Sequence, residues 1–392
     1  MRVGIVGCGL IGRRRADVVC RSPGDQLVIV ADVDEPRARS LAGEMGCLAT
    51  TDWQEVVARD DVEAVVVSTP NKYLMPITVA ALEHGKHVLV EKPMARNLAE
   101  AEQVLRVARR QGDKETRRQG DKETRGQGDK GRGGQGNQRT VSPSPSLPLS
   151  KSPYLPVLGV GFNHRHHPAI WKAYELCTQA AIGPLMFIRA VYGHGGRPGY
   201  EKEWRANPEV SGGGELLDQG VHIVDVCRWF MGDFAEAFGF TSTYFWMSDR
   251  RPPTADGGQS VVCGRVEDNA FALLRTADGR VAQFHTSWTQ WKNLFTFEVF
   301  GRDGYVRVDG LGGSYGTETL IVGHRRPQSG PPVEERFEFH GPDLSWQAEW
   351  QEFTSAIRED RQPLANGEDG LQVMRLIDAI YESARTGTVV RL

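Results

Sequence analysis

Short apolar runs alternate with longer amphipathic segments through the first 110 residues, and this alternation constrains the fold more than any other feature. RVGIVG (2–7), DQLVIVAD (25–32), DVEAVVVSTP (61–70) and KHVLVEKP (86–93) are each rich in Val, Ile or Leu. Nearly continuous apolar strands are typical of parallel sheets covered on both faces, and the helical patterns between them complete βαβ units. We therefore predict an N-terminal α/β domain built on a doubly wound parallel sheet.

The composition changes abruptly in the segment 112–153. An imperfect eight-residue repeat of charged residues and glycine is followed there by a stretch rich in Ser and Pro. With so few apolar side chains to bury, the segment is expected to be disordered. The apolar run YLPVLGVGF resumes directly afterwards, so we interpret the segment as an insertion in a helix-to-strand turn, which loop entropy permits. A partner-binding tail is the alternative.

From residue 166 onward the pattern changes to alternating runs separated by turn motifs such as ADGR (277–280) and GRDG (301–304). Turns of this kind between alternating runs favour antiparallel hairpins. Helical spacing returns near the C-terminus, within 367–387. We predict two domains: residues 1–165, which include the insertion, and residues 166–392, an open-faced, mainly antiparallel sheet with helices.

Charge and cysteine content exclude several classes of protein. A formal net charge of -3 gives no general attraction to nucleic acid or to an anionic membrane, so we expect neither as a partner. The six cysteines are scattered without a C-x-x-C pair, which favours a reducing compartment. The first strand starts at the second residue, which leaves no separate signal peptide, and no apolar run approaches the ~20 residues that span a bilayer. We expect a cytoplasmic protein.

A glycine motif, G-x-G-x-x-G, joins the first strand to the first helix. Gly7 permits a tight turn, Gly9 lets the backbone approach a pyrophosphate, and Gly12 lets helix and strand pack closely. The helix N-terminus then offers free N–H groups to the phosphates. Asp32 ends the second strand, where a carboxylate accepts hydrogen bonds from ribose hydroxyls and repels a 2′-phosphate. These features predict a Rossmann dinucleotide-binding domain that uses NAD in preference to NADP. Arg37 either meets a 2′-phosphate or is a solvated helix residue.

A second group of residues has the composition of an oxidoreductase site. GGGELLDQGVHIVD (212–225) places Asp218, His222 and Asp225 on one helix face, and Lys92 ends a strand, where α/β sheets bind ligands. Hydride transfer from a secondary alcohol releases a hydroxyl proton, which a neutral imidazole can accept. A lysine ammonium would stabilise the developing alkoxide, and a carboxylate would orient the pair. We predict Lys92, Asp218 and His222 as catalytic residues.

Together VGIVGCGLIG, EKP (91–93) and GGGELLDQGVHIVD resemble the Gfo/Idh/MocA family, the glucose-fructose oxidoreductase and inositol dehydrogenase group. The resemblance extends to STPN (68–71), GVGFNHRHHP (159–168) and the C-terminal helix. It implies a nicotinamide cofactor, a sugar, cyclitol or nucleotide-sugar substrate, and catalytic roles for the same three residues. One departure is Leu74, where the family usually has a histidine, and this leaves the local cofactor geometry open. The cofactor-binding residues we predict are Gly7, Gly9, Leu10, Ile11, Gly12, Asp32, Arg37, Ser68, Thr69, Pro70, Asn71, Glu91 and Lys92.

Residues of the second domain are candidates for substrate contact. Polar side chains near the start of the second domain and on its glycine-rich loops are suited to binding hydroxyl groups. The loop residues are equally typical of ordinary turns. Asp225 either orients its helix or contacts substrate. The histidines at 164, 166 and 167 lack a companion set of cysteines or carboxylates, so we predict no metal site. Trp288 and Trp291 either stack on a sugar or pack in the sheet. The substrate candidates are Asn163, Arg165, Tyr192, His194, Arg205 and Asp225.

The sequence therefore predicts an NAD(P)-dependent oxidoreductase that oxidises a secondary hydroxyl of a sugar, cyclitol or nucleotide sugar. One alternative is an NAD-dependent glycoside hydrolase on the same scaffold, and another is a cofactor-binding sensor without catalysis. The exposed face of an open sheet favours self-association, as a homodimer or homotetramer.

Overall fold

The computed structural model describes residues 1–110, 156–247 and 266–392. The insertion expected to be disordered, 112–153, lies outside these ranges. Six parallel strands form the N-terminal sheet in the order β3-β2-β1-β4-β5-β6, so the predicted doubly wound sheet is confirmed. The strands are β1 Arg2–Val6, β2 Gln26–Ala31, β3 Leu48–Thr50, β4 Ala64–Val67, β5 His87–Glu91 and β6 Leu158–Gly161.

The strand order of this sheet reverses between β1 and β4, which opens a crevice at their carboxyl ends. All four residues of β4 are buried, as expected for a strand with helices on both faces. Its helices are α1 Leu10–Arg21, α2 Glu35–Met45, α3 Trp53–Ala58, α4 Asn71–Glu83 and α5, which spans 98–110. The short strand β3 is one element that the apolar pattern does not reveal.

A nine-stranded sheet forms the second half, in the order β14-β13-β12-β11-β7-β10-β9-β8-β15. Its neighbours are antiparallel except for β7 and β10, which agrees with the prediction of a mainly antiparallel sheet. Its strands are β7 Leu185–Gly193, β8 Phe234–Ser242, β9 Asn269–Thr276, β10 Val281–Ser287, β11 Leu294–Gly301, β12 Gly304–Asp309, β13 Glu318–His324, β14 Val333–Phe339 and β15 Val390–Arg391.

One face of this sheet is buried and the other is open. Along β11, Phe295, Phe297 and Val299 are buried, whereas Phe300 between its neighbours stays partly exposed. The period of two places the apolar set on the inner face. The helices of this half are α6 Pro168–Thr178, α7 Pro208–Ser211, α8 Val221–Met231, α9 Ser345–Arg358 and α10 Gly367–Thr386.

The two C-terminal helices connect the halves of the molecule. Trp350 and Phe353 of α9 are buried in the same hydrophobic cluster as residues of α1 and β2. The indole of Trp350 donates a hydrogen bond to Asp25 at 2.9 Å. Gly159 of β6 also forms a bridge with Asn366, the residue that caps α10. The second half thus packs against the N-terminal sheet and closes one side of the crevice. No helix within the described ranges is long and apolar enough to cross a membrane.

Candidate active site

A cavity of about 1100 Å³ lies between the glycine turn and the inner side of the second half. Pockets for drug-sized ligands measure roughly 300–1,000 Å³, so this cavity has room for a dinucleotide and a small substrate. Its cofactor end is formed by the turn after β1 and the ends of β2 and β4. Its substrate end is formed by residues after β5, the end of β7, the segment before α8, and the β12–β13 loop.

Each glycine of the motif occupies a position that its role requires. Gly7 has a φ of +99°, and a Cβ there would lie 2.5 Å from the carbonyl oxygen of Ser68. A Cβ on Gly12 would lie 1.8 Å from the carbonyl oxygen of Gly7, so helix and turn are in contact. A Cβ on Gly9 would have no heavy atom within 4 Å, and Gly9 lines the cavity, which leaves space for a phosphate at the start of α1.

Asp32 faces the same end of the cavity. Its carboxylate accepts hydrogen bonds from the backbone N–H groups of Cys8 at 2.8 Å and Asp34 at 3.0 Å. The Arg37 guanidinium lies 3.4 Å from both carboxylate oxygens. These contacts fix the carboxylate between the glycine turn and α2, where a ribose would lie. The residues present therefore fit an adenine dinucleotide.

The STPN segment (68–71) joins the two ends of the cavity. Ser68 Oγ donates to the carbonyl oxygens of Val6 and Gly7, at 3.2 and 2.9 Å, and so links the ends of β1 and β4. Asn71 Nδ2 donates to the carbonyl oxygen of Ser211 at 2.7 Å, which links α4 to the second half. Leu74 is fully buried in the hydrophobic core.

Lys92 and Asp218 meet although 126 residues separate them in the chain. Lys92 Nζ donates to the Asp218 carbonyl oxygen at 2.5 Å and to its carboxylate at 3.2 Å. Arg205 Nε donates to the other carboxylate oxygen at 3.3 Å. Burial raises the pKa of Asp218, but the charges of Lys92 and Arg205 outweigh it and bring the pKa to about 2. The carboxylate is therefore ionised and held between two cations.

His222 lies in the first turn of α8 and lines the same cavity. Burial, followed by the charge of Lys92, lowers the pKa of His222 well below its ordinary value, so the imidazole is neutral at pH 7. Its ring stacks on that of His164, with centroids 3.9 Å apart. His164 also lines the cavity, although its place in the sequence suggested at most a metal ligand.

The glycine run before α8 holds backbone segments in close contact. A Cβ on Gly212 would lie 2.4 Å from the Arg96 carbonyl oxygen, and one on Gly214 would lie 2.0 Å from that of Glu267. The Glu267 carboxylate accepts from the N–H groups of Gly214 and Leu216, at 3.1 and 3.0 Å. These contacts fix the π-helical turn Leu216–Gly220 that carries Asp218. Glu267 thus positions this turn, and the motifs do not identify it.

Two candidate substrate residues do not reach the cavity. Arg165 donates to the Asp225 carboxylate at 2.5 and 2.9 Å, and the two side chains are 2% and 0% exposed. Neither lines the cavity. The expectation that they contact substrate is therefore corrected: each neutralises the other's charge in the interior, so neither side chain is left to bind a ligand. The candidates that do line the cavity are Asn163, Tyr192, His194 and Arg205.

Glu91 is also held in a buried ion pair at the rim of the cavity. Arg15 of α1 pairs with Glu91 at 2.6 Å and with Glu349 of α9 at 2.5 Å. This contact ties α1 and α9 to the end of β5, next to Lys92.

Among the described residues no cluster of three or more His, Cys, Asp or Glu could hold a metal ion. Trp288 is fully buried and Trp291 is exposed, and neither lines the cavity.

Comparison with known proteins gives matches over most of the chain. Residues 1–116 match the family model of an oxidoreductase family with an NAD-binding Rossmann fold, and residues 170–307 match the GFO/IDH/MocA C-terminal domain. The chain is 24% identical to the levoglucosan dehydrogenase of Pseudarthrobacter phenanthrenivorans, over 98% of this chain and 96% of that protein. It is 26% identical to the 1,5-anhydro-D-fructose reductase of Ensifer adhaerens, over 100% and 98%. A solved levoglucosan dehydrogenase in complex with NADH and levoglucosan superposes with a TM-score of 0.77 at 21% identity, covering 100% of this chain and 99% of that one.

Proposed function

Because this chain belongs to the Gfo/Idh/MocA family of oxidoreductases, we propose that it is a dehydrogenase that oxidises one secondary hydroxyl of a sugar or cyclitol with NAD. The observation that carries the proposal is the convergence of Lys92, Asp218 and His222 in one cavity with the glycine turn and Asp32. The names of the relatives, a levoglucosan dehydrogenase and an anhydrofructose reductase, support a carbohydrate substrate.

The nicotinamide ring, when bound, supplies the hydride acceptor. The other functions belong to residues of this chain. His222 is neutral at pH 7, so its imidazole can accept the hydroxyl proton. The Lys92 ammonium stabilises the negative charge that develops on the carbinol oxygen. Asp218 holds that ammonium through the hydrogen bonds described above, and its ionised state keeps Lys92 oriented toward the cavity.

Preference for NAD over NADP follows from the charge at the ribose position. Asp32 is fixed by two backbone N–H groups, so it cannot easily turn away from a 2′-phosphate. Arg37 offers a compensating positive charge, but Asp32 and Asp34 already pair with it. The carboxylate of Asp32 therefore favours the hydroxyls of an unphosphorylated ribose.

The proposal is tested by following NADH formation with purified full-length protein and a panel of levoglucosan, myo-inositol, D-glucose and D-xylose. His222→Asn is expected to bind NAD with the same Kd and to lose about 10²–10⁴-fold in kcat, the usual contribution of a general base. Tyr305→Phe, a change on the surface of the second sheet, serves as control. A normal oxidation rate in His222→Asn would contradict the assignment. Release of nitrophenol from a nitrophenyl glycoside without net NADH formation would favour the glycoside hydrolase instead.

We further propose a cytoplasmic enzyme that forms homodimers or homotetramers. The open face of the second sheet supports self-association, because Phe187 and Phe300 stack there with centroids 4.6 Å apart and Leu273 is exposed. Light scattering of the full chain measures the mass of the assembly. A monomer at micromolar concentration would contradict this proposal.

A further inference from the structure

Three neighbouring polar side chains line the substrate end of the cavity, and the proposed chemistry does not use them. Gln219 follows Asp218 in the π-helical turn, Tyr315 comes from the β12–β13 loop, and Tyr192 comes from β7. All three line the cavity. The Tyr192 ring lies edge-on to that of His222, with centroids 6.4 Å apart, and 5.6 Å from that of Tyr315. This group, the hydroxyl array, therefore lies beside the proposed proton acceptor.

The β12–β13 loop is built to hold Tyr315 at this position. Gly310, Gly312 and Gly316 have φ values of +75°, +75° and +84°, which side-chain-bearing residues rarely adopt. The loop is closed by a hydrogen bond from Gly312 N to the Gly316 carbonyl oxygen at 2.9 Å. Asn293 also donates to Ser314 at 2.6 Å, which anchors the loop to the start of β11. The position of Tyr315 is thus fixed before a ligand arrives.

The array has unused capacity to accept hydrogen bonds. Gln219 Nε2 donates to the Tyr315 hydroxyl at 3.2 Å, and this contact turns the amide oxygen Oε1 away from Tyr315. That oxygen is buried and has no hydrogen-bond partner among the described residues, and the same holds for Nε2 of His164. A buried acceptor without a donor is unfavourable. A ligand hydroxyl would supply a donor to Gln219 once its amide turns toward the cavity that the residue lines.

Each lysine or arginine that lines this end of the cavity is already paired with a carboxylate. Arg205 and Lys92 both contact the Asp218 carboxylate, and Arg197 pairs with Glu203 at 2.6 Å. The other arginines of the lining lie on α1 and α2, at the cofactor end. A phosphate beside the hydroxyl array would therefore compete with carboxylates that already hold the nearby cations.

We propose that Tyr315 and Gln219 bind the hydroxyls next to the reacting carbon and select an uncharged polyol ring, a free sugar or cyclitol, over sugar phosphates and nucleotide sugars. This inference rests on the proposed dehydrogenase function. Tyr315 is the specificity-determining residue, because its hydroxyl accepts from the amide of Gln219 and its ring lies 5.6 Å from that of Tyr192.

The first measurement compares initial rates of NAD reduction by the wild-type protein. The uncharged probes are levoglucosan, myo-inositol, D-glucose and D-xylose, and the charged probes are glucose 6-phosphate and UDP-glucose. An uncharged probe is expected to have a kcat/KM at least roughly tenfold higher than either charged probe, because a phosphate would face the paired carboxylates. A preference for UDP-glucose or glucose 6-phosphate overturns the inference. If no probe reduces NAD, the dehydrogenase assignment itself fails.

The second measurement removes one hydroxyl from the protein. Tyr315→Phe is expected to lower kcat/KM for the best uncharged probe by about 3- to 30-fold, mainly through KM, with an unchanged Kd for NAD. Tyr305→Phe is the matched control, since Tyr305 lies at the start of β12, at the other end of the strand from this loop, and its hydroxyl donates to the surface residue Glu334. The control is expected to leave both constants unchanged. Gln219→Met provides a second variant of the array.

The decisive experiment measures kcat/KM for a series of monodeoxy analogues of the best probe. For the analogue that lacks the hydroxyl bound by the array, Tyr315→Phe should cause no further decrease in kcat/KM, because the two deletions remove the same contact. If Tyr315→Phe lowers kcat/KM equally for every analogue, or leaves all of them unchanged, the inference is refuted. The proposed dehydrogenase function would survive either result.

Discussion

Replacement of Arg165 by methionine tests whether the Arg165–Asp225 pair stabilises the fold or contacts substrate. Methionine keeps much of the length of the side chain but removes the charge and the hydrogen bonds to Asp225 at 2.5 and 2.9 Å. It also removes the hydrogen bond to the Leu364 carbonyl oxygen at 2.6 Å. Asp225 is 0% exposed, so water cannot replace these donors.

The expected cost is about 3–5 kcal/mol in the free energy of unfolding, the usual result of leaving one partner of a buried ion pair alone. For a domain of this size that corresponds to a decrease of roughly 6–20 °C in Tm. Arg165→Met/Asp225→Leu removes both charges and is expected to recover part of the loss, because no unpaired carboxylate remains. Thermal and urea unfolding of the three proteins measure these differences.

The pH dependence gives an independent check on the same pair. Burial raises the pKa of Asp225 to about 6, although Arg165 opposes the rise. Between the ordinary carboxyl pKa and about 6, the native state binds a proton that the unfolded state has released, so stability falls as pH rises through this window. Without Arg165 the pKa of Asp225 rises further and the window extends above pH 6. The stability difference between Arg165→Met and wild type should therefore widen as pH rises from about 4 to 8.

One result would refute this reasoning. If Arg165→Met unfolds within about 2 °C of wild type at pH 8, the pair does not stabilise the fold. If its KM for the carbohydrate also rises while NAD binding is unchanged, Arg165 contacts substrate, as the sequence predicted.

Two further substitutions test the cofactor end of the cavity. Asp32→Ser is expected to shift the ratio of kcat/KM for NADP over NAD by about 10- to 100-fold toward NADP, because the carboxylate that repels a 2′-phosphate is lost and Arg37 keeps only its pair with Asp34. An unchanged ratio would show that Asp32 does not set the preference. Gly12→Ala is expected to abolish NAD binding, since its Cβ would lie 1.8 Å from the Gly7 carbonyl oxygen. The matched change Gly43→Ala in α2, where nothing lies within 4 Å, should stabilise the protein by about 0.5–1 kcal/mol. Equal NAD affinity in the two glycine variants, measured by calorimetry, would contradict the role of Gly12.

Local patterns in the sequence predicted the N-terminal sheet and its glycine turn because these features depend on backbone geometry. The strand period, the need for a positive φ at Gly7 and the close packing at Gly12 are properties of a few consecutive residues. Some of the predicted site residues line the cavity and others do not. Lys92, Asp218 and His222 do line one cavity, and their catalytic roles stay predictions.

Other features depend on contacts between distant segments. Sequence spacing placed Asp218, His222 and Asp225 on one helix face, but Asp225 points to Arg165, sixty residues away, and not to the cavity. Arg15 follows two other arginines near the start of α1, and nothing in this run distinguishes it, yet it is buried between Glu91 and Glu349. A charged side chain in the sequence gives no sign of the partner that will neutralise it.

The sequence by itself determined the alternation of strands and helices and the glycine turn after the first strand, since each is encoded within a short window. Only the tertiary structure decided which polar groups face the cavity and which pair in the interior. It also brought Tyr315, from a loop without any recognisable motif, to within hydrogen-bond distance of Gln219. The physical reason is that hydrogen bonds and ion pairs act over a few ångströms in space, and proximity in space between distant segments is set by packing of the whole chain.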